Sequence, residues 1–348
     1  MLLATWFHGD TTDLRGEYAQ MRGDSTSPRH WQIYLDCIDL FLASARRWNA
    51  GLRLAVVLNP AAAGALPAVH RARWKAAGAV VLVTENTHRP PAGFHGQWQN
   101  QFFVLDCLRV LADAAEPGEP VVLADSDCLV TDDLAELDAA VRERGRLFYA
   151  VPFDPDVEVN GLTRRDLAAL AGELHGTPPV PDLAYLGGEF LAFRADLLPG
   201  DLARLDEAFA WALERAAAGL PHPNEEAQLV SVTLGPELSR AALVGWAVRR
   251  VWTQPWTLRN AGPADRDVAI WHLPAEKRTG LARLHRASAD PAGWFSQAPR
   301  EIWLDRVGRL VGVPAYRPAK ALADARALAP RLVPGVRRRI AMRGRIHG

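Results

Sequence analysis

The stretch Pro120–Val130, PVVLADSDCLV, decides how this chain is read. An apolar run delivers two carboxylates, Asp125 and Asp127, into a turn, and Leu129–Val130 returns the chain to the interior. Residues two apart in an extended segment point to the same side, so both carboxylates can converge on one cation. Mg2+ or Mn2+ takes oxygen ligands and keeps positions open for phosphate oxygens, which is the bridge a nucleoside diphosphate needs. Acidic residues at strand ends are also common as solvated turn residues, so an Asp-X-Asp alone decides nothing. Its placement directly after a wholly apolar strand favours the cation.

Outward from this segment, short apolar runs alternate with helix-patterned stretches. Leu2–Phe7, Leu52–Leu58, Val80–Thr84, Val121–Ala124 and Leu147–Val151 read as buried strands. Tyr34, Ile38, Phe41 and Ala45 recur at helical spacing, as do Phe102, Leu105 and Leu108. The alternation predicts an α/β fold, a mainly parallel Rossmann-like sheet flanked by helices, with ligands bound beyond the carboxyl ends of the strands. In the second half, strands are expected at Tyr185–Phe193, Trp246–Trp252 and Val268–Trp271. Helices are expected from about Asp201 to Ala218 and from near Asn224, a good N-cap followed by acidic residues. No internal repeat or long linker forces a boundary. The expected division is one large domain over 1–298 and a helical extension with a basic tail over 299–348.

Composition removes several classes. Among the 348 residues, 40 basic and 40 acidic side chains cancel, so no nucleic-acid partner is expected. Cys37, Cys107 and Cys128 are dispersed, without a CxxC pair, which argues against a disulfide framework or a structural zinc site. The N-terminus lacks the basic lead and cleavage site of a signal peptide, and no run approaches a membrane span of about 20 apolar residues. A cytoplasmic location is expected. No Walker or dinucleotide glycine fingerprint occurs, against kinases and nicotinamide enzymes.

Three further segments carry candidate chemistry. Tyr185–Arg194, YLGGEFLAFR, is a strand pattern interrupted by Gly187 and Gly188; glycines within a strand mark a bulge or a close approach of a ligand or backbone. Pro223–Leu229, PNEEAQL, puts Glu225 and Glu226 at a helix start, where acids also serve simply as partners of the helix dipole. In Ala269–Lys277, AIWHLPAEK, His272 follows an apolar strand and Lys277 comes five residues later. A neutral imidazole can join two carboxylates around Mn2+, and an ammonium offsets charge on a diphosphate; a lone histidine beside a strand is more often a packing residue.

ADSDCLV resembles the Asp-X-Asp segment of GT-A glycosyltransferases. That resemblance implies that Asp127 coordinates the metal directly, that Asp125 contacts the donor ribose and supports the metal through water, and that Ser126 is a tolerant middle position. It also implies that Gly187, Gly188 and Glu189 line the pocket of donor sugar and acceptor. Glu225-Glu226-Ala-Gln-Leu is similar to the Asp-Glu-Ser-His-Leu segment of ABO-like retaining transferases, which makes Glu226 the match to the catalytic glutamate; Gln228 stands where that family has His. The segment around His272 resembles the His-X-X-Gly-X-X-Lys pattern of glycogenin-like transferases, implying His272 as a metal ligand and Lys277 as a diphosphate contact. Here the Gly is absent, Pro274 intervenes and the spacing is one residue shorter. The loop after Leu2–Phe7 stands where such a sheet presents its nucleotide-base loop, so Asp10 and Thr11 are candidate uracil or ribose contacts, with Asn59 behind them.

The expected activity is metal-dependent transfer of a sugar from a nucleoside diphosphate, UDP first among them, to a hydroxyl acceptor, with retention favoured and Glu226 or Glu189 stabilising the oxocarbenium-like centre. Two alternatives remain open at this point. A nucleotidyltransferase would use paired acids and a metal but would carry a glycine-rich basic N-terminal loop, and Phe7–Gly16 offers only Arg15. The other is a non-catalytic sugar-nucleotide-binding protein. The tail Val336–His347 sets five arginines among Val336, Ile340, Met342 and Ile346. It reads either as a solvated terminus or as a basic amphipathic segment in weak peripheral contact with an anionic membrane.

Overall fold

A computed structural model describes residues 1–12, 15–16, 21, 23–96, 99–256 and 258–328. The basic tail over 336–347 lies outside the described residues. The described residues form two compact units: those of 1–250 with 268–272, and those of 251–267 with 273–328.

The first unit is built on a six-stranded sheet. Its strands are β1 (Leu2–Phe7), β2 (Arg53–Leu58), β3 (Ala79–Val83), β4 (Pro120–Ala124), β6 (Arg146–Ala150) and β7 (Leu186–Arg194). The spatial order is β3-β2-β1-β4-β7-β6. β1 to β4 run parallel, and β7 is antiparallel to both its neighbours, so the sheet is mainly parallel as expected.

The reason the strands read as unbroken apolar runs is that both faces are covered. Leu3 and Phe7 of β1, Leu54, Val56 and Leu58 of β2, and Val122 and Ala124 of β4 share one core with the helix Pro28–Trp48. The alternate residues Leu2, Ala4, Ala55, Val57, Val121 and Leu123 join the helices Phe103–Ala114 and Leu198–Ala217 in a second core. Each fully buried leucine or phenylalanine there stabilises the fold by roughly 1.5–3 kcal/mol relative to exposure. Val80 and Val83 of β3 are half exposed, as befits an edge strand.

A second sheet has three short strands, β5 (Cys128–Val130), β8 (Val248–Arg250) and β9 (Ile270–His272), in the order β5-β9-β8; β8 falls inside the expected Trp246–Trp252 and β9 overlaps the expected Val268–Trp271, while β5 was not expected as a strand. Strands of three residues carry no signal of which strand they pair with, so the sheet itself had to come from the fold. β9 pairs antiparallel with β5 and parallel with β8, which puts Cys128, His272 and Arg250 in one row. This register positions the site.

The second unit is helical: Gly280–Ser288, Trp294–Gln297, Arg300–Val311 and residues 318–328. Among the described residues no helix is long and apolar enough to cross a membrane.

Candidate active site

Asp125 and Asp127 stand where the parallel sheet's β4 ends and β5 begins, joined by a turn in which Cys128 N donates to the Asp125 carbonyl at 3.0 Å. Because Cys128 is the register partner of His272, the imidazole arrives beside the acid pair. His272 Nε2 is 3.3 Å from Asp127 Oδ2 and 3.6 Å from Asp125 Oδ2. The three side chains offer ligand atoms all within 4.8 Å of one another, Asp127 and His272 buried and Asp125 the more open. Two carboxylates and one imidazole make a donor set suited to Mn2+ or Mg2+. Burial opposes a charged imidazole, but the Asp127 carboxylate and then Glu189 outweigh it and hold His272 up at about 9.

The glycine pair is explained by what presses on it. A Cβ at Gly187 would lie 2.0 Å from Glu189 Oε2, and one at Gly188 would lie 2.1 Å from Glu226 Oε1. The glycines therefore make room for two buried glutamates. The two glutamates differ in their surroundings. Arg250 grips Glu189 bidentately, with Nε donating to Oε1 at 2.7 Å and Nη2 donating to Oε2. Although burial opposes ionisation, the Arg250 guanidinium and then His272 hold the Glu189 carboxyl down at about 2.

Glu226 opens the helix Glu226–Leu234, and its Oε2 is buried with no hydrogen-bond partner among the described residues. Burial, then the charges of Glu225 and Asp125, push its carboxyl well above the usual range. The N-cap is Glu225, one residue later than the sequence suggested, and its side chain makes no capping bond. That side chain instead accepts from Tyr185 Oη and Asn160 Nδ2. Asn224 is drawn away from capping, its amide group donating to the Asn160 carbonyl at 2.9 Å. Asn160 holds a left-handed φ of 47°, a conformation that Asn tolerates better than most residues but that still costs energy. Gln228 receives the Asn224 backbone N–H at 2.7 Å and donates to Val159 O at 2.8 Å, so it braces the helix start.

At the carboxyl end of β1, Asp10 is buried and fully engaged: Asn100 Nδ2 donates at 2.7 Å, Gly16 N at 2.8 Å, and His8 Nδ1 is 3.1 Å away. Asn59 caps the helix Pro60–Gly64 and bonds both ways with the Gly9 backbone. Thr11 is the more open of the two loop candidates. Lys277 belongs to the second unit, buried at the end of the turn Pro274–Glu276.

The segments singled out in the sequence thus come together as Asp125, Asp127, Gly187, Gly188, Glu189, Glu226 and His272. Sequence reading missed Arg250, Tyr185 and Asn160. The adjacent basic pair Arg249-Arg250 in a strand pattern was the one available signal for the first.

No protein-family model matches the sequence, and no curated protein matches it. Among solved structures, the chain is similar to the galactosyltransferase LgtC in complex with donor and acceptor sugar analogues, at 13% identity and a TM-score of 0.45, covering 92% of this chain and 98% of that one. It is also similar to an active-site mutant of LgtC, at 14% identity and a TM-score of 0.46, covering 90% and 98%.

Proposed function

We propose that this protein is a metal-dependent glycosyltransferase of the GT-A type, moving a sugar from a nucleoside diphosphate, UDP by preference, to a hydroxyl acceptor. The observation that carries this reading is the convergence of Asp125, Asp127 and His272 from β4, β5 and β9 at the carboxyl end of a parallel strand. Such ends are where α/β sheets bind ligands. Asp127 and His272 would hold Mn2+ or Mg2+, with Asp125 beside them and facing the donor. A divalent ion there supplies Lewis-acid stabilisation of the departing diphosphate.

The chain's own residues divide the remaining work. Glu226 is the acidic group with an oxygen to spare, and it stands against the Gly188 backbone, where no side chain screens it. As a carboxylate it stabilises positive charge at the anomeric carbon, in keeping with a retaining transfer. Tyr185 and Asn160 fix Glu225, whose charge helps set how readily Glu226 gives up its proton. Asp10 shapes the loop after β1, leaving Thr11 as its contact to the base or ribose.

The test is UDP release from a panel of UDP-sugars with Mn2+, on the full chain and on Asp127→Ala, together with calorimetry of Mn2+ and UDP binding. Release that stops with chelator and with Asp127→Ala is the expected result. Binding of Mn2+ and UDP unchanged in Asp127→Ala would sink the metal assignment, and proton NMR of the product's anomeric centre decides retention.

A further inference from the structure

Glu189 is set where a substrate-facing glutamate would be expected, yet both of its oxygens are taken by one guanidinium and it is 1% exposed. Its other neighbour is the imidazole of His272, whose Nδ1 lies 3.5 Å from Glu189 Oε1 while Nε2 faces Asp127 and Asp125 on the opposite side. We infer that Glu189 and Arg250 are a positioning pair that presents His272 to the metal, rather than groups that act on the sugar. The inference rests on the reading of Asp125, Asp127 and His272 as the metal centre.

The chemistry requires such a partner. A ligating imidazole must offer the lone pair of the nitrogen that faces the cation, so its proton must sit on the other nitrogen, and a carboxylate beside that nitrogen fixes the tautomer and the ring orientation. Nδ1 of His272 has no hydrogen-bond partner among the described residues, and the Glu189 carboxylate stands 3.5 Å from it.

Everything around Glu189 serves to keep it still. The parallel pairing of β8 with β9 makes Arg250 the register neighbour of His272, so guanidinium and imidazole reach the same carboxylate from adjacent strands. The Arg250 fork binds both oxygens at once, which removes rotation about the carboxyl as well as offsetting its charge. Gly187 leaves the space that the carboxylate fills. The Glu189 carbonyl accepts from Asp125 N at 3.1 Å, so the same residue also ties β7 to the first acid of the pair.

The experiment is Mn2+ binding alone, by calorimetry and by electron paramagnetic resonance of free Mn2+, on full-length wild type, Glu189→Gln, Glu189→Asp, Arg250→Lys and Asp127→Asn, with thermal melts of each. Glu189→Gln and Arg250→Lys are expected to weaken Mn2+ binding roughly 10–100-fold, the usual effect of losing a partner behind a metal-bound histidine, in protein that still melts cooperatively. Glu189→Asp keeps the charge but shortens the reach, and is expected to fall between them and wild type; it also decides the matter should Glu189→Gln not fold. Wild-type Mn2+ affinity in folded Glu189 and Arg250 variants, with Asp127→Asn defective, would overturn the positioning role and leave the metal centre standing. Absence of Mn2+ binding by wild type itself, with or without UDP, would overturn the metal centre.

Discussion

A Cβ atom at Gly188 would stand 2.1 Å from Oε1 of Glu226, so the glycine and the glutamate divide a space that holds only one of them. In Gly188→Ala the clash falls on the far end of a flexible side chain, which moves more easily than β7. The fold should therefore survive, at a cost of about 1–3 kcal/mol for overpacking. Displacing a catalytic group by about 1 Å can lower turnover about 100-fold. Gly188→Ala is accordingly expected to bind Mn2+ as wild type does while kcat for UDP release drops by that order. Wild-type turnover in this variant would remove Glu226 from the reaction.

The metal centre makes a prediction about removal of one ligand. His272→Ala deletes the imidazole that β9 delivers to Asp125 and Asp127, and should weaken Mn2+ affinity by at least the 10–100-fold expected of an outer-shell change. Calorimetry of His272→Ala beside wild type checks it, and equal affinity would show that the two acids bind the ion without help.

Much of this site was legible in the sequence for a physical reason. An apolar strand of period two fixes which side Asp125 and Asp127 share, and Gly187-Gly188 within such a strand announces a close approach. His272 also followed a recognisable apolar run, although the strand extends one residue further and includes it. What stayed hidden depends on pairing between distant short strands. Arg250 lies in a strand that was expected, but its place beside His272 follows only from the register of β8 with β9. Glu225 read as a helix-dipole partner, whereas Tyr185 and the left-handed Asn160 claim its side chain from elsewhere in the fold.

Glu226 also makes the stability of the metal-free protein depend on pH in a defined direction. Burial first, then Glu225 and Asp125, raises its carboxyl well above the unfolded value of about 4.3. Between those two values the folded protein holds a proton that the unfolded chain has released. The corresponding stability is fully present below about pH 4 and is lost as pH rises through the raised folded value. Glu226→Gln stays neutral throughout. In chelator, its Tm should match wild type near pH 4 and exceed it increasingly towards neutral pH; a constant difference across the range would show that Glu226 ionises freely.

The second unit holds a charge cluster whose lysine and two acids are shut off from water, and this gives the largest expected effect on stability. Lys320 Nζ donates to Glu276 Oε2 at 2.8 Å and to Asp324 Oδ2 at 2.7 Å, and all three side chains are 0% exposed. Arg283 bonds the other oxygen of Asp324 at 2.7 Å, while Thr279 Oγ1 and Gly280 N donate to Glu276. Two cations thus balance two anions. Lys320→Met removes one cation and leaves a net buried negative charge, a change that typically costs 3–5 kcal/mol, about what a broken buried ion pair costs. Adding Glu276→Gln restores neutrality, and the amide can still accept from Thr279 and Gly280, so the double variant should recover part of the loss. Urea unfolding of the single and double variants measures the coupling between the two sites. A loss below about 1 kcal/mol for Lys320→Met, the range of exposed pairs, would mean that water reaches the cluster in solution.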